Sequence, residues 1–181
     1  MYILIGGMGG IGSNLAKNLL KMGHTVAAVD TDLLACQYAR EKIGVMAFEG
    51  SAVNTSVLLE AGIRKAGAVI AALQEDALNL ALVTLSKHYG VPQIVVRMSD
   101  GDFAEPYRLA GATHIISTTE LALNRVINAI EYPQVDAMMH FEQGQIEVLK
   151  LSIPPNCTIV GRSVAAIAQD PRFPSGTLII G

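Results

Sequence analysis

The chain has 181 residues, 51% of them hydrophobic, and a net charge of −3 with no lysine or arginine cluster, which argues against nucleic acid or anionic lipid as a direct partner. Mean hydropathy is high at +0.40, yet the longest apolar run, residues 66–73, falls far short of the ~18 residues a membrane-spanning helix needs. Such a length holds one α/β domain of ordinary size and a small appendage.

An apolar strand over residues 2–5 runs into glycines at Gly7, Gly9 and Gly12, after which Ile11, Leu15, Leu19 and Met22 follow helical spacing. A second strand, residues 25–29, ends in an acid at Asp30, 18 positions beyond Gly12. Strand, glycine turn, helix and an acid near that distance form the fingerprint of a dinucleotide-binding βαβ unit. Gly7 permits the sharp turn, Gly9 lets backbone N–H groups approach a pyrophosphate, and Gly12 lets the helix pack close to the sheet. The start of the helix faces the phosphates with free donors and its positive dipole end, and Asp30 is placed to accept hydrogen bonds from ribose hydroxyls. The competing reading makes the glycines a tight turn only and Asp30 the cap of a helix beginning near Thr31.

Residues 31–44 read as a helix closed by Gly44, followed by a strand at 45–48. Gly50 and Ser51 end that strand, and Asn54 or Thr55 can cap a short helix carrying Val57, Leu58 and Leu59. A buried strand runs to Leu73, residues 74–76 form the loop at its carboxyl end, and a helix continues to Gly90. Pro92 blocks that helix, a strand follows at 93–97, then a helix broken early by Pro106 and a sixth strand at 114–117. Six strands alternating with helices specify an α/β fold, a doubly wound, parallel, Rossmann-like sheet buried on both faces. Its crevice lies outside the strands' carboxyl ends, gathering the glycine loop, Asp30, Gly50, Ser51 and Leu73.

From Ser117 the texture changes. A helix at 118–130, with Thr118 or Thr119 as its cap, is ended by Pro133; two strands follow around a Gly144 turn, then a short helix at 163–168 and a strand stopping at Ile180. The expected organisation is a nucleotide-binding domain over 1–132 and a partial α+β appendage over 137–181. The unpaired terminal strand suggests a fragment, or a unit completed by another chain. Cys36, Cys157 and the four histidines are scattered, with neither metal-ligand spacing nor a nucleophile constellation, and no signal-peptide pattern opens the chain.

The pieces GGMGGIG, VAAVDTD, EGSAVNTSVLLEAGI, AVIAALQEDALNLALV and IVVRMSD make residues 1 to about 130 resemble the regulator-of-potassium-conductance family. It is also called the TrkA N-terminal or KTN domain, found in Trk-type potassium uptake regulatory proteins. GQIEVLKLSIPPNCTIVGRSVAAIA is similar to the start of the family's C-terminal domain. The resemblance implies a cytoplasmic regulatory subunit, held at the inner face of the membrane by a potassium transporter or channel subunit and assembled as a homo-oligomer, dimer or higher. Gly7, Gly9 and Gly12, with the backbone of Met8, Gly10 and Ile11, would hold phosphates, and Asp30 would hold the adenosine ribose with Asp32 beside it. Ser51 and Ala52 would border the adenine, and Leu73 and Gln74 would line the floor. Arg97 would give its charge to the phosphates or to a partner subunit, unless it is a surface or capping arginine. Gly10 stands where ATP-favouring relatives carry an arginine, which favours NAD(H), with ADP or ATP as alternatives.

The helix at 118–130 resembles the crossover helix through which family members pair, against the plainer reading of a core-facing helix. Glu131, Asp136 and Glu142 resemble calcium-binding acids of channel-linked relatives, but scattered surface carboxylates are commoner and no metal is assigned. The function so implied is a nucleotide sensor acting by population shift, with no catalytic residues. The alternative is an NAD-dependent oxidoreductase lacking most of its substrate domain.

Overall fold

The computed structural model describes residues 1–131, 135–141, 146–171, 173 and 176–179. The chain divides into two compact units, Met1–Ala122 and Leu123–Gly181. In the first, six parallel strands, β1 (Tyr2–Gly6), β2 (Thr25–Asp30), β3 (Met46–Glu49), β4 (Ala68–Ala71), β5 (Gln93–Met98) and β6 (His114–Ser117), lie in the order 3-2-1-4-5-6. This is the expected α/β, doubly wound sheet.

The near-continuous apolar strands split by their two-residue period into two cores. Leu4, Ala27, Val29, Val69, Ile94 and Val96 face one side, and Ile3, Ile5, Val26 and Ala28 the other. Helices α3 (Thr55–Glu60), α4 (Asp76–His88) and α5 (Ala104–Ala110) cover the first face through Leu58, Leu82 and Tyr107. Helices α1 (Gly10–Lys21) and α2 (Leu33–Tyr38) cover the second through Ala16 and Cys36. Layers on both sides leave central strands no polar face, which accounts for the high hydropathy. Burial also pushes the Cys36 thiol up, so it behaves as a core side chain.

Several element ends differ from the sequence reading. β4 stops at Ala71 rather than Leu73. The expected helix at 31–44 begins at Leu33, with Asp32 as its cap (Leu34 N–H to Asp32 Oδ1, 2.8 Å), and turns π-helical over Ala39–Ile43 before left-handed Gly44. Asp30 therefore caps no helix. Asn54, not Thr55, caps α3 by accepting the Ser56 N–H at 2.9 Å. A polar hub that the sequence reading did not foresee sits at the start of α4. There the nearly buried Asp76 accepts the N–H groups of Ser99 and Asp100 and the Tyr107 hydroxyl at 2.7 Å. Burial first, and this bond second, push the Tyr107 hydroxyl far above its ordinary value and keep it a donor.

Helix α6 (Thr118–Glu131) buries none of its side chains. In the second unit β7 (Val135–Phe141) pairs antiparallel with β8 (Ile146–Leu151), and Ser163 caps α7 (Val164–Ala168) by accepting the Ala166 N–H. Residues 177–179 form no strand, and the predicted strand end at Ile180, like Pro133 and the Gly144 turn, lies outside the described residues.

Tyr107→Phe removes one charge-assisted bond from the Asp76 hub without changing the ring. We expect it to lower the unfolding free energy by about 1.5 to 3 kcal/mol, read from urea denaturation with an unchanged slope.

Candidate functional site

The strand order reverses between β1 and β4, so connections leave the carboxyl ends of these neighbours in opposite directions and a crevice opens between them. The cleft there measures about 550 Å³. Its walls are Gly7, Met8, Gly9, Gly10 and Ile11 after β1, Asp30, Thr31 and Asp32 at and after the end of β2, and Ala72, Leu73, Gln74 and Glu75 after β4, with Ala35 from α2, Leu78 from α4 and Arg97 from β5.

The glycines divide into two kinds. Gly7 has a φ of +99°, and a Cβ there would meet the Ala72 carbonyl oxygen at 2.8 Å; a Cβ on Gly12 would overlap the Gly7 carbonyl oxygen. Both are demanded by the backbone. Gly9 and Gly10 are different, because a Cβ on either meets nothing within 4 Å. Their missing side chains leave room in the cleft at the N-terminus of α1, whose first turn contains no acidic residue and whose cap, Gly9, offers no side-chain acceptor. Free N–H groups and the positive dipole end thus face open space, the arrangement that receives a phosphate. The Ser13 hydroxyl donates to the Met8 carbonyl at 2.6 Å and fixes the loop from behind.

Asp30 ties the loop to the end of β2, its Oδ2 accepting the Met8 N–H and its Oδ1 the Asp32 N–H at 2.8 Å. Each carboxylate oxygen has a second lone pair, so the group can still accept from a ribose. On the opposite wall Asn79, 1% exposed, accepts the Leu73 N–H at 2.9 Å and donates to the carbonyls of Leu73 (3.1 Å) and Arg97 (3.2 Å). Arg97 is the one cation among the lining residues, and Asp30, Asp32 and Glu75 are the acids there. Its Nη1 donates to the Leu73 carbonyl at 3.4 Å and its Nε to Thr118 Oγ1 at 3.5 Å. It caps no helix.

Of the residues singled out from sequence, Gly7, Met8, Gly9, Gly10, Ile11, Asp30, Asp32, Leu73, Gln74 and Arg97 lie together in this lining. Three do not. Gly12 sits behind the loop, and Ala52 turns its methyl into the core, where it takes up the space beside Gly6. Ser51 is also off the lining, its hydroxyl accepting the Val53 N–H at 3.4 Å. The sequence reading missed Thr31, Ala35, Ala72, Glu75 and Leu78 as wall residues, and Ser13 and Asn79 as supports. Asn79 carried a readable signal, since an asparagine inside an apolar helical stretch must find buried partners. Glu131 is exposed, whereas the Asp136 side chain and Glu142 lie outside the described residues.

The sequence pattern of the TrkA-N domain matches residues 3–118. The chain belongs to the TrkA-N domain family. A Trk system potassium uptake protein TrkA homolog of Methanothermobacter thermautotrophicus is 28% identical over 173 residues, covering 96% of this chain and 80% of that one. The solved TrkA-N domain of inner membrane protein ybaL from Escherichia coli superposes with a TM-score of 0.67 at 20% identity, covering 71% of this chain and 96% of that one. The GsuK channel bound to NAD gives a TM-score of 0.62 at 23% identity over 77% of this chain and 25% of that one. This chain shares the fold of the first of these structures and of the matching part of the second.

The two kinds of glycine in this TrkA-N domain make opposite predictions. Gly9→Ala should cost no more than about 1 kcal/mol, the penalty for alanine in place of glycine at a helix cap. Gly12→Ala, which drives a methyl into backbone, should cost about 3 kcal/mol or more, both read from chemical denaturation.

Proposed function

We propose that this TrkA-N chain is the nucleotide-binding regulatory subunit or domain of a membrane potassium transporter or channel, and that NAD(H) is its ligand. The observation that carries the reading is the space kept open at Gly9 and Gly10, facing the N-terminus of α1 beside Asp30. The similarity to proteins named for Trk potassium uptake, and to the GsuK channel solved with NAD and with ADP, supports it.

In this reading the turn from Gly7 to Ile11 takes the pyrophosphate, on the N–H groups from Gly9 onward because those of Gly7 and Met8 are held by Val29 and Asp30, and Asp30 takes the adenosine ribose, with Asp32 alongside. Leu73 and Gln74 form the floor, and Arg97 contributes its charge to the phosphates. ADP or ATP would use the same loop. The chain would reach the membrane through its partner, on the cytoplasmic side; no helix among the described residues is long and apolar enough to cross a bilayer. The nucleotide favours one arrangement of the assembled domains, and that differential affinity is what the membrane subunit senses. Such a device binds without turnover. The titratable lining groups are Asp30, Asp32, Glu75 and Arg97, and two of the three carboxylates already hold backbone N–H groups.

Calorimetric titration tests the ligand. NADH should bind wild type at least about tenfold more tightly than NADPH, because Asp30 repels a 2′-phosphate. Asp30→Asn keeps one acceptor for the loop but loses the charge, a difference of roughly 1.5 to 3 kcal/mol. NADH affinity should then fall about ten- to hundredfold while the preference over NADPH shrinks. Equal NADH affinity in the two proteins would refute the role given to Asp30.

Assembly forms a separate prediction. Leu121, Val126 and Ile130 on α6 are 60%, 57% and 71% exposed, a heavy apolar load for a solvated helix that a second copy would cover. Light scattering should give a dimer or larger, and Val126→Asp should shift it toward monomer; a wild-type monomer at micromolar concentration in the presence of nucleotide would sink the idea.

A further inference from the structure

Among the described residues, Arg97 is the one residue of the cleft lining whose side chain hydrogen-bonds to α6. Its guanidinium spans from the floor, through Nη1 to the Leu73 carbonyl, to the first residue of the helix, through Nε to Thr118 Oγ1. At 3.4 and 3.5 Å both contacts lie at the long limit for an N–H···O bond, and both acceptors are neutral. No ion pair holds Arg97 among the described residues. The guanidinium is therefore loosely held, inside a cleft whose other charges are carboxylates.

The other attachments of the first turn of α6 are tighter. Thr119 Oγ1 donates to the Ser99 carbonyl at 3.0 Å, and the loop at Ser99 and Asp100 is itself held by Asp76, with the Asp100 N–H at 3.0 Å. The helix start thus has one firm bond, from Thr119 to the residue that follows β5, and one weak bond to the cleft. Thr118 joins the two, since its hydroxyl donates to the Met98 carbonyl at 3.3 Å while accepting from Arg97.

From this arrangement we infer that Arg97 signals occupancy of the cleft to α6 by releasing Thr118 when it turns to a bound anion. A phosphate offers two-pronged, charge-assisted bonds at roughly 2.7 to 2.9 Å, which outcompete single long bonds to a hydroxyl and a carbonyl. Once Arg97 leaves, the Thr118 hydroxyl loses its donor and the first turn of α6 is held less firmly. The consequence reaches beyond the first unit, because α6 carries the chain across the division after Ala122. The inference rests on the nucleotide reading above and adds to it the residue pair by which binding is reported.

Hydrogen–deuterium exchange at the amides of residues 121–125, with and without saturating NADH, tests it. In wild type NADH should raise exchange there by roughly two- to fivefold, the effect of losing one modest hydrogen bond from a local opening equilibrium. General tightening by a ligand would lower it. Thr118→Val keeps the branched shape and removes the acceptor. It should bind NADH within about twofold of wild type, exchange faster from the outset and show no further rise. Thr118→Ser keeps the hydroxyl and should respond like wild type. The inference is overturned if wild type binds NADH with no rise at α6, if Thr118→Val still shows the rise, or if that variant loses NADH affinity more than about tenfold. Failure of wild type to bind NADH, ADP or ATP in calorimetry would instead overturn the nucleotide reading itself.

Discussion

Everything at the cleft depends on how closely α1 can approach the end of β1. The helix is seated so near the turn that a single methyl on Gly12 would overlap the Gly7 carbonyl oxygen. Gly7 in turn is pressed against the Ala72 carbonyl, which brings the carboxyl ends of β1 and β4 together at the reversal of strand order. On the opposite face Gly6 makes the same concession to α4, since a Cβ there would overlap Leu82. Two helices thus close on one strand end from opposite sides. The crevice, the helix terminus and the acid of β2 are placed by that approach before any ligand is considered.

The electrostatics follow from the same geometry. With three carboxylates and one guanidinium on its walls, the cleft does not attract anions by net charge. In the proposed reading a phosphate is held by backbone donors and the dipole of α1, which act at short range and in fixed directions, with Arg97 adding its charge. Asp30 belongs to both halves of this arrangement, holding the Met8 and Asp32 N–H groups while presenting negative charge to whatever lies between the loop and β2.

The βαβ unit was legible because its signals are local: an apolar strand, three glycines, helical spacing and an acid at the expected distance. What the sequence did not show is legible only in three dimensions. The stretch after β3 offered Ser51 and Ala52 as adjacent candidates for the adenine wall, but spacing cannot show that Ala52 fills the room left by Gly6. The choice between Asp30 as cap and Asp30 as cleft residue turned on two positions of helix register, decided once Asp32 is seen to hold the Leu34 N–H. The strand expected through Leu73 ends at Ala71 because the Leu73 N–H turns to the side chain of Asn79, six residues on. The contact of Arg97 with Thr118 joins residues 21 apart on separate elements, and no pattern of types announces it.

Asn79 has a consequence of its own. Just past the paired ends of β4 and β5, on the floor of the crevice, backbone groups lose strand partners, and a bare gap would leave them competing for water or wavering between arrangements. One buried carboxamide supplies three bonds in place of the missing rungs, to the N–H and carbonyl of Leu73 and the carbonyl of Arg97. The conformational entropy of this wall is therefore surrendered when the chain folds, not when a ligand arrives. A guest meets a floor already at rest, and its dwell time is governed by its own contacts with the cleft rather than by the rate at which the floor forms and dissolves.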